Sequence, residues 1–485
     1  MASEPPVYPP PSRREIWSWA MFDFANSSYT TVIVTVAFGV YFTRLVAPPG
    51  RGDSLWGWAI AAGNLIVLLL SPIVGAVADD SGRKKLILFF TYATCVAGTA
   101  LLYFATPGRV GLALAMFVLS FVGFSFGENL AGAFLPEIST PENIGRISGL
   151  GWGLGYFGGL GSLLLVQPLL AGDFAAANLP NLRLAWLATA LFFLVAALPT
   201  FLFLKERAPR GRGSARQYVR DGFRRLAETA RSVRHFSEIV RFLCVFFLYY
   251  AGLTSVVAFA GIYAANTLGF TFKELVLLFI LLQLSSAGGA FLFGFIQDRI
   301  GATRTIQIAL VLWILVCAGA WFVQSKAAFW GVALFAGLGI GSLQSASRAM
   351  VGLFSPREKT GEFFGFWGLS KTAAYMVGPA IFGYISSATG SQRTAMLSTA
   401  FFFIAGLAGM AFIDERRGHA EAAAWDALSP ARPLTTPSPP LPPHSRPPGE
   451  EGLQQDLSSS FPSPGWGEGD GRGARGEGSG GGEKG

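Results

Sequence analysis

Long apolar runs separated by short polar breaks set the pattern of this chain from Ile16 to Ile413. Twelve runs fall at about 17–45, 55–78, 86–105, 110–135, 147–171, 183–204, 241–265, 274–296, 304–325, 327–350, 363–388 and 393–413. Each is long enough for a helix to cross a hydrocarbon core of roughly 30 Å. None alternates as a strand does, and peptide groups in lipid must bond within their own segment. The pattern therefore predicts an all-α membrane protein of twelve transmembrane helices.

The polar breaks divide the chain further. A tail at 1–15 precedes a six-helix bundle at 16–204, a basic linker at 205–240, a second six-helix bundle at 241–413 and a tail at 414–485. Within the linker, Val219, Phe223, Leu226, Ala230 and Val233 recur at helical spacing among Arg216, Arg220, Arg224, Arg225, Arg231 and Arg234. That spacing fits a helix lying on the membrane surface, and equally a solvated charged linker. Residues 434–485 are rich in Pro, Gly and Ser, a composition with too little apolar surface to fold, and the tail at 414–485 is expected to be disordered.

Two breaks repeat. Gly75-Ala-Val-Ala-Asp79-Asp-Ser-Gly82-Arg83 recurs 219 positions later as Gly294-Phe-Ile-Gln-Asp298-Arg299-Ile-Gly301-Ala-Thr-Arg304. Glu142-x-x-Gly145-x-x-x-Gly149 likewise recurs as Glu358-x-x-Gly361-x-x-x-Gly365. The halves match loop for loop, so the bundles are pseudo-symmetric. Gly75, Asp79, Gly82, Arg83, Gly294, Asp298, Gly301 and Arg304 are candidate gating residues. The aspartates stand just beyond helix ends, placed to cap the next helix and to pair with arginines across the interface between halves. The glycines allow tight turns and close helix approach.

Composition agrees with a membrane protein, since 52% of residues are hydrophobic, 14% are charged and 60 are glycine. The proline-rich start and the long run behind it do not read as a cleaved signal peptide. One set of loops holds Arg13, Arg14, Arg83, Lys84, Lys85, Arg146, Arg299, Arg304, Arg357, Lys359 and the eleven basic residues from Lys205 to Arg241. The other holds Arg44, Arg51, Arg109, Arg183, Lys273, Lys326 and Arg393. The more basic set, with both termini, is expected in the cytoplasm, which places the protein in the cytoplasmic membrane. The net charge of +8 is then a topology signal, and nucleic acid is not an expected partner.

Chemistry of other kinds is excluded in turn. Cys95, Cys244 and Cys317 lie singly in different runs, and His235, His419 and His444 lie outside all of them, so no metal site, cofactor or histidine relay is expected. There is no His-Glu-x-x-His and no Gly-x-Ser-x-Gly elbow, which argues against an intramembrane enzyme. Gly153-x-Gly155-x-x-Gly158 has the letters of a dinucleotide fingerprint but no strand before it. Gly151, Gly155 and Gly159 read instead as a packing ridge, and Gly337, Gly339 and Gly341 likewise.

The rare charges inside the runs are the sharper signal, because each costs on the order of 3 kcal/mol at bilayer depth unless it meets a partner or a cavity. Asp23 lies roughly 9 Å into helix 1, Glu128 seven residues before the end of helix 4, and Lys371 eight residues into helix 11, all at similar depth. Arg348 lies near that level. Asn26 and Thr30 follow Asp23 on one helix face, and Gln344 is one turn from Arg348. Asp23, Asn26, Glu128, Gln344, Arg348 and Lys371 are the candidate substrate-binding or coupling residues. They suit a zwitterion, with a base for its carboxylate and an acid for its ammonium, and one acid could instead carry a coupling proton. The alternative is that the charges form fixed pairs that lock helices together. Asn64 and Gln283 are expected to bond between helices.

The repeated loop resembles the signature of the major facilitator superfamily. Trp19-Ala-Met-Phe-Asp23-Phe-Ala-Asn26-Ser27 resembles the opening helix of bacterial permeases related to the vacuolar amino-acid effluxers of autophagy. Gln344-Ser-Ala-Ser-Arg348, Gly361-Glu-Phe-Phe-Gly-Phe366, Ser370-Lys371, Gly378-Pro379 and Ala388-Thr-Gly-Ser-Gln-Arg393 extend the likeness. The resemblance implies a multi-pass transporter of the major facilitator fold, and the residues taken together are expected to form a monomeric secondary transporter working by alternating access, with a small polar solute as substrate. Amino-acid efflux is the best-known role in that family. An uncoupled facilitator, or a sensor that keeps the fold without transporting, stays open beside it.

Overall fold

A computed structural model describes residues 10–49, 51–171, 174–207 and 236–428, together with 217–218, 220 and 224. The linker positions Val219, Phe223, Leu226, Ala230 and Val233, and the chain from 429 onward, lie outside the described residues. Among the described residues there is no strand.

Among the described residues the twelve long helical elements are α1 (Arg13–Val46), α2 (Gly52–Ser81), α3 (Lys84–Leu101), α4 (Val110–Ala133), α5 (Ile144–Leu170), α6 (Ala176–Phe203), α7 (Ser237–Leu268), α8 (Phe272–Ile300), α9 (Ala302–Phe322), α10 (Lys326–Phe354), α11 (Thr360–Thr389) and α12 (Gln392–Met410). Eleven are long and apolar enough to cross a membrane. The twelfth, α11, spans 30 residues, about 45 Å, but Glu362, Ser370, Lys371, Thr372 and its glycines dilute its apolar character. This is the multi-pass architecture expected from the runs.

Each half buries its own aromatic core. Trp19, Phe22, Tyr29, Phe38, Tyr41 and Trp186 anchor the first, and Phe246, Tyr249, Tyr263, Trp313 and Phe403 the second. Two separate cores let each bundle keep its shape while the seam between them changes. Gly82, at φ 59°, ends α2, and Gly301, at φ 90°, joins α8 to α9. Gly82 takes the left-handed helical conformation and Gly301 an extended one, so the two duplicated loops turn differently but each on a glycine at positive φ.

The duplicated aspartates do not cap the next helix, as the sequence suggests. Those N-termini are taken by glutamates from the far ends of the bundles. Glu206, after α6, accepts from Lys85 N on α3 at 2.8 Å, and Glu415, after α12, accepts from Ala302 N and Thr303 N on α9 at 3.0 and 2.8 Å. Glu15 accepts from Lys205 N at 3.2 Å and binds Arg207 through both oxygens, while Glu238 accepts from Asp414 N at 3.0 Å. Leu204-Lys-Glu206-Arg207 and Ile413-Asp-Glu415-Arg416 thus form a third repeated motif. Burial pushes the Glu206 carboxyl up to about 6, partly offset by the Lys85 N–H that it accepts.

The expected disorder of 414–485 is corrected over α13 (Glu415–Leu428). This short helix folds because its acids find helix N-termini to cap. Besides Glu415 on α9, Glu421 accepts from Glu238 N at 3.1 Å and Ser237 Oγ at 2.7 Å, and Asp426 accepts from Arg357 N at 3.0 Å. Trp425 lies 4.9 Å from the Phe236 ring, and the Lys359 ammonium lies 4.9 Å from Trp425. Replacing Glu415, Glu421 and Asp426 together by alanine is expected to cost about 0.5–2 kcal/mol per lost cap. A several-degree fall in the thermal unfolding midpoint in detergent is the expected reading, and an unchanged midpoint counts against the caps.

Candidate functional site

Both ion pairs at membrane depth cross between bundles. Asp23 on α1 meets Arg348 on α10, Oδ2 to Nη1, at 2.6 Å. Arg348 also donates through Nη2 to the Ser148 carbonyl at 2.8 Å and through Nε to its hydroxyl at 3.2 Å, which ties α10 to α5. Its guanidinium lies 4.9 Å from the Trp19 ring and 5.3 Å from Trp152. Arg348 is 2% exposed and Asp23 8%. A side chain at Gly151 would intrude here, since its Cβ would lie 2.4 Å from Asp23 Oδ2.

The second pair joins Glu128 on α4 to Lys371 on α11 at 2.6 Å, with both side chains 12% exposed. Lys371 stands 4.9 Å from the Trp367 ring. The Tyr156 hydroxyl, on α5, donates to Gln344 Oε1 on α10, and Gln283 on α8 reaches the Tyr156 carbonyl at 3.5 Å. Tyr375 on α11 is 47% exposed and meets Tyr250 edge-on at 5.8 Å. Asn26, one turn after Asp23 on α1, is buried, its Oδ1 without a hydrogen-bond partner among the described residues. Of the six candidates, four form two pairs and Gln344 joins Tyr156. Asn64 bonds its own helix, to the Ile60 carbonyl at 3.0 Å, and not a neighbour as expected.

The glycine ridge of α5 serves α1. A Cβ at Gly158 would lie 1.9 Å from the Phe24 carbonyl, and one at Gly155 2.9 Å from Ser27 Oγ. On α10, Gly341 meets the Ser286 carbonyl of α8 in the same way. The letters of the dinucleotide fingerprint are thus packing glycines.

A seam closes the end of the molecule that carries the basic loops. The Asp79 carboxylate accepts from Gly361 N and Glu362 N of α11 at 3.0 and 2.9 Å. Asp298 accepts from Gly145 N of α5 at 2.8 Å and pairs with Arg146 at 2.6 Å. Each aspartate therefore caps a helix of the opposite bundle. Gly75 and Gly294 permit this approach, since Cβ atoms there would lie 1.9 Å from the Gly361 carbonyl and 2.7 Å from that of Gly145.

The seam is asymmetric. Lys84, 1% exposed, binds Asp79 at 3.2 Å, Glu137 at 2.8 Å and the Thr360 hydroxyl across the interface. The position 219 residues on is Thr303, and the Asp298 side relies on Arg146, whose side chain is half exposed. Arg83 and Arg304 face outward, exposed. Sequence reasoning named Arg83, whereas the cation in the seam is its neighbour. It also passed over Ser148, Trp152 and Tyr156, although Tyr156 stands one turn beyond Trp152 on the ridge helix.

Residues 53–423 match the family described as "Vacuole effluxer Atg22 like". The chain is 26% identical over 410 residues to the uncharacterized MFS-type transporter YxiO of Bacillus subtilis, covering 82% of this chain and 94% of that one. It is 24% identical over 399 residues to autophagy-related protein 22 of Kluyveromyces lactis, covering 74% and 78%. Among solved structures, the human organic anion transporter MFSD10 superposes with a TM-score of 0.66 at 16% identity, covering 83% of this chain and all of that one. The transporter FucP in its outward conformation gives 0.63 at 15%, covering 83% and 98%. At such identities the superpositions speak to the fold alone.

Proposed function

Since the chain belongs to the Atg22-like vacuole effluxer family within the major facilitator superfamily, we propose that it exports a small zwitterionic solute of the amino-acid class by alternating access across a bacterial cytoplasmic membrane. The basic loops and both termini face the cytoplasm in this reading. The closed seam is then the cytoplasmic gate, and the molecule is outward-facing.

The observation that carries the proposal is the Glu128–Lys371 pair. It bridges the bundles like Asp23–Arg348 but is less deeply buried, with aromatic and amide groups of α5, α7, α10 and α11 around it. A zwitterion can replace it without leaving a charge unpaired: its carboxylate takes Lys371 and its ammonium takes Glu128. Gln344 and Tyr156 would then fix orientation. Exchanging one internal pair for two pairs to the solute removes a direct link between α4 and α11, so binding and bundle movement become one event.

Uptake of labelled amino acids into proteoliposomes, with and without a pH gradient, tests this. Lys371→Ala and Glu128→Gln are each expected to lower uptake about 10- to 100-fold, the factor for a lost charge-assisted hydrogen bond. Unchanged uptake in both folded variants overturns the site. If a pH gradient drives uptake by the parent and Glu128→Gln abolishes only that drive, Glu128 carries a coupling proton. Uptake indifferent to any gradient supports the uncoupled facilitator.

A further inference from the structure

A groove of about 690 Å³ runs between α7 and α11 from the basic end of the second bundle. Val240, Leu243, Cys244 and Phe247 wall one side, and Phe366 and Ala373 the other. From Phe236 to Leu248 the α7 wall rises about 18 Å, close to the depth of one leaflet, half of a roughly 30 Å core. The fold does not impose this opening. The matching seam of the first bundle, α1 against α5, is sealed where Gly158 lets the helices touch backbone to backbone, whereas α7 and α11 make such a contact only farther along, at Gly378 against the Ala251 carbonyl.

We propose that this groove is a binding site for one acyl chain of an anionic phospholipid of the inner leaflet, with its phosphate held by Arg241. Apolar walls of leaflet depth select the chain, and charge selects the headgroup. Arg241 stands one turn into α7 with a side chain 53% exposed. One of its nitrogens binds Glu238 at 2.7 Å, and the planar guanidinium has further N–H groups to offer. Arg417, 3.8 Å from Glu238 and 3.2 Å from Glu421, stands near the same glutamate. In sequence, the stretch from Lys205 to Arg241 holds eleven basic and four acidic residues, a balance suited to anionic lipid. A lipid wedged between α7 and α11 would report on the seam, because α11 is the helix that Asp79 caps.

Cys244 supplies the readout, since it is exposed in the groove while Cys95 and Cys317 are buried. The full-length protein in detergent is treated with N-ethylmaleimide, and modification is followed by intact mass after adding phosphatidylglycerol or phosphatidylcholine with the same chains. The expected result is that phosphatidylglycerol slows Cys244 modification about five-fold more than phosphatidylcholine, the factor for one arginine beside an anionic headgroup. Arg241→Gln should erase that difference. Ala373→Phe, which fills the opposite wall, should lower retention of phosphatidylglycerol in native mass spectrometry. Equal slowing by both lipids overturns the proposal, and so does protection of Cys244 that persists in protein shown by native mass spectrometry to carry no lipid, a result that assigns the groove to another segment of the chain.

Discussion

A chain carrying Asp23→Asn is expected to lose about 3 to 5 kcal/mol of stability and most of its transport, although one atom has changed. The reason is what stays behind. Arg348 is 2% exposed, and without the carboxylate its charge remains buried between Trp19 and Trp152 with only the Ser148 oxygens to meet it. Replacing both partners, Asp23→Leu with Arg348→Met, should restore much of the unfolding midpoint, because an apolar pair of similar volume carries no desolvation cost. The double variant separates two roles. If it is stable and still transports, Asp23–Arg348 is a strut only; if it is stable and silent, the pair belongs to the transport cycle. A single Asp23→Asn variant as stable as the parent would show that the pair does not form in the membrane.

The second large effect is expected at Gly75. A methyl group there would lie 1.9 Å from the Gly361 carbonyl, and backbone on both sides leaves nothing to move aside. Gly75→Ala should therefore prevent α2 and α11 from meeting, and hold the protein open at its basic end. Lys84→Met reaches the same end by another route, leaving Asp79 and Glu137 without their buried cation at a cost of about 3 to 5 kcal/mol to the closed state. A cysteine at Ser71, buried in this seam, provides the measurement on a Cys244→Ser background. It should be labelled slowly in the parent and rapidly in both variants, with uptake lost. Arg146→Ala, on the exposed side of the seam, should change labelling by a factor of only about 2 to 5, the range of a surface ion pair. Slow labelling in Gly75→Ala would mean that the seam closes elsewhere.

Much of the candidate site was legible because membrane depth makes charge rare. Asp23, Glu128, Arg348 and Lys371 stand out of any apolar run on cost alone, and helix spacing put them at one level. Which acid meets which base was not legible, since α1, α4, α10 and α11 are far apart in sequence and their rotation about their axes is set by packing. The same limit explains the duplicated aspartates. Their register marks them as a device, but the sequence points to the neighbouring helix, and only the folded bundles show Asp79 on α11 and Asp298 on α5. The Glu-Arg repeat after α6 and α12 was present all along, hidden because two residues shared at helix ends are weak until the N-termini that they cap are seen.

What the chain determined alone is the all-helical membrane architecture, its grouping into two related halves and the family, because hydrophobic length, duplicated loops and ordered motifs are local properties. The tertiary structure decided the pairing of buried charges, the partners of the capping acids, the order of α13 and the groove beside Cys244. Each of these depends on which faces of distant helices meet, and that is fixed by close packing at glycines such as Gly75 and Gly158, where a missing side chain matters only once its neighbour is known.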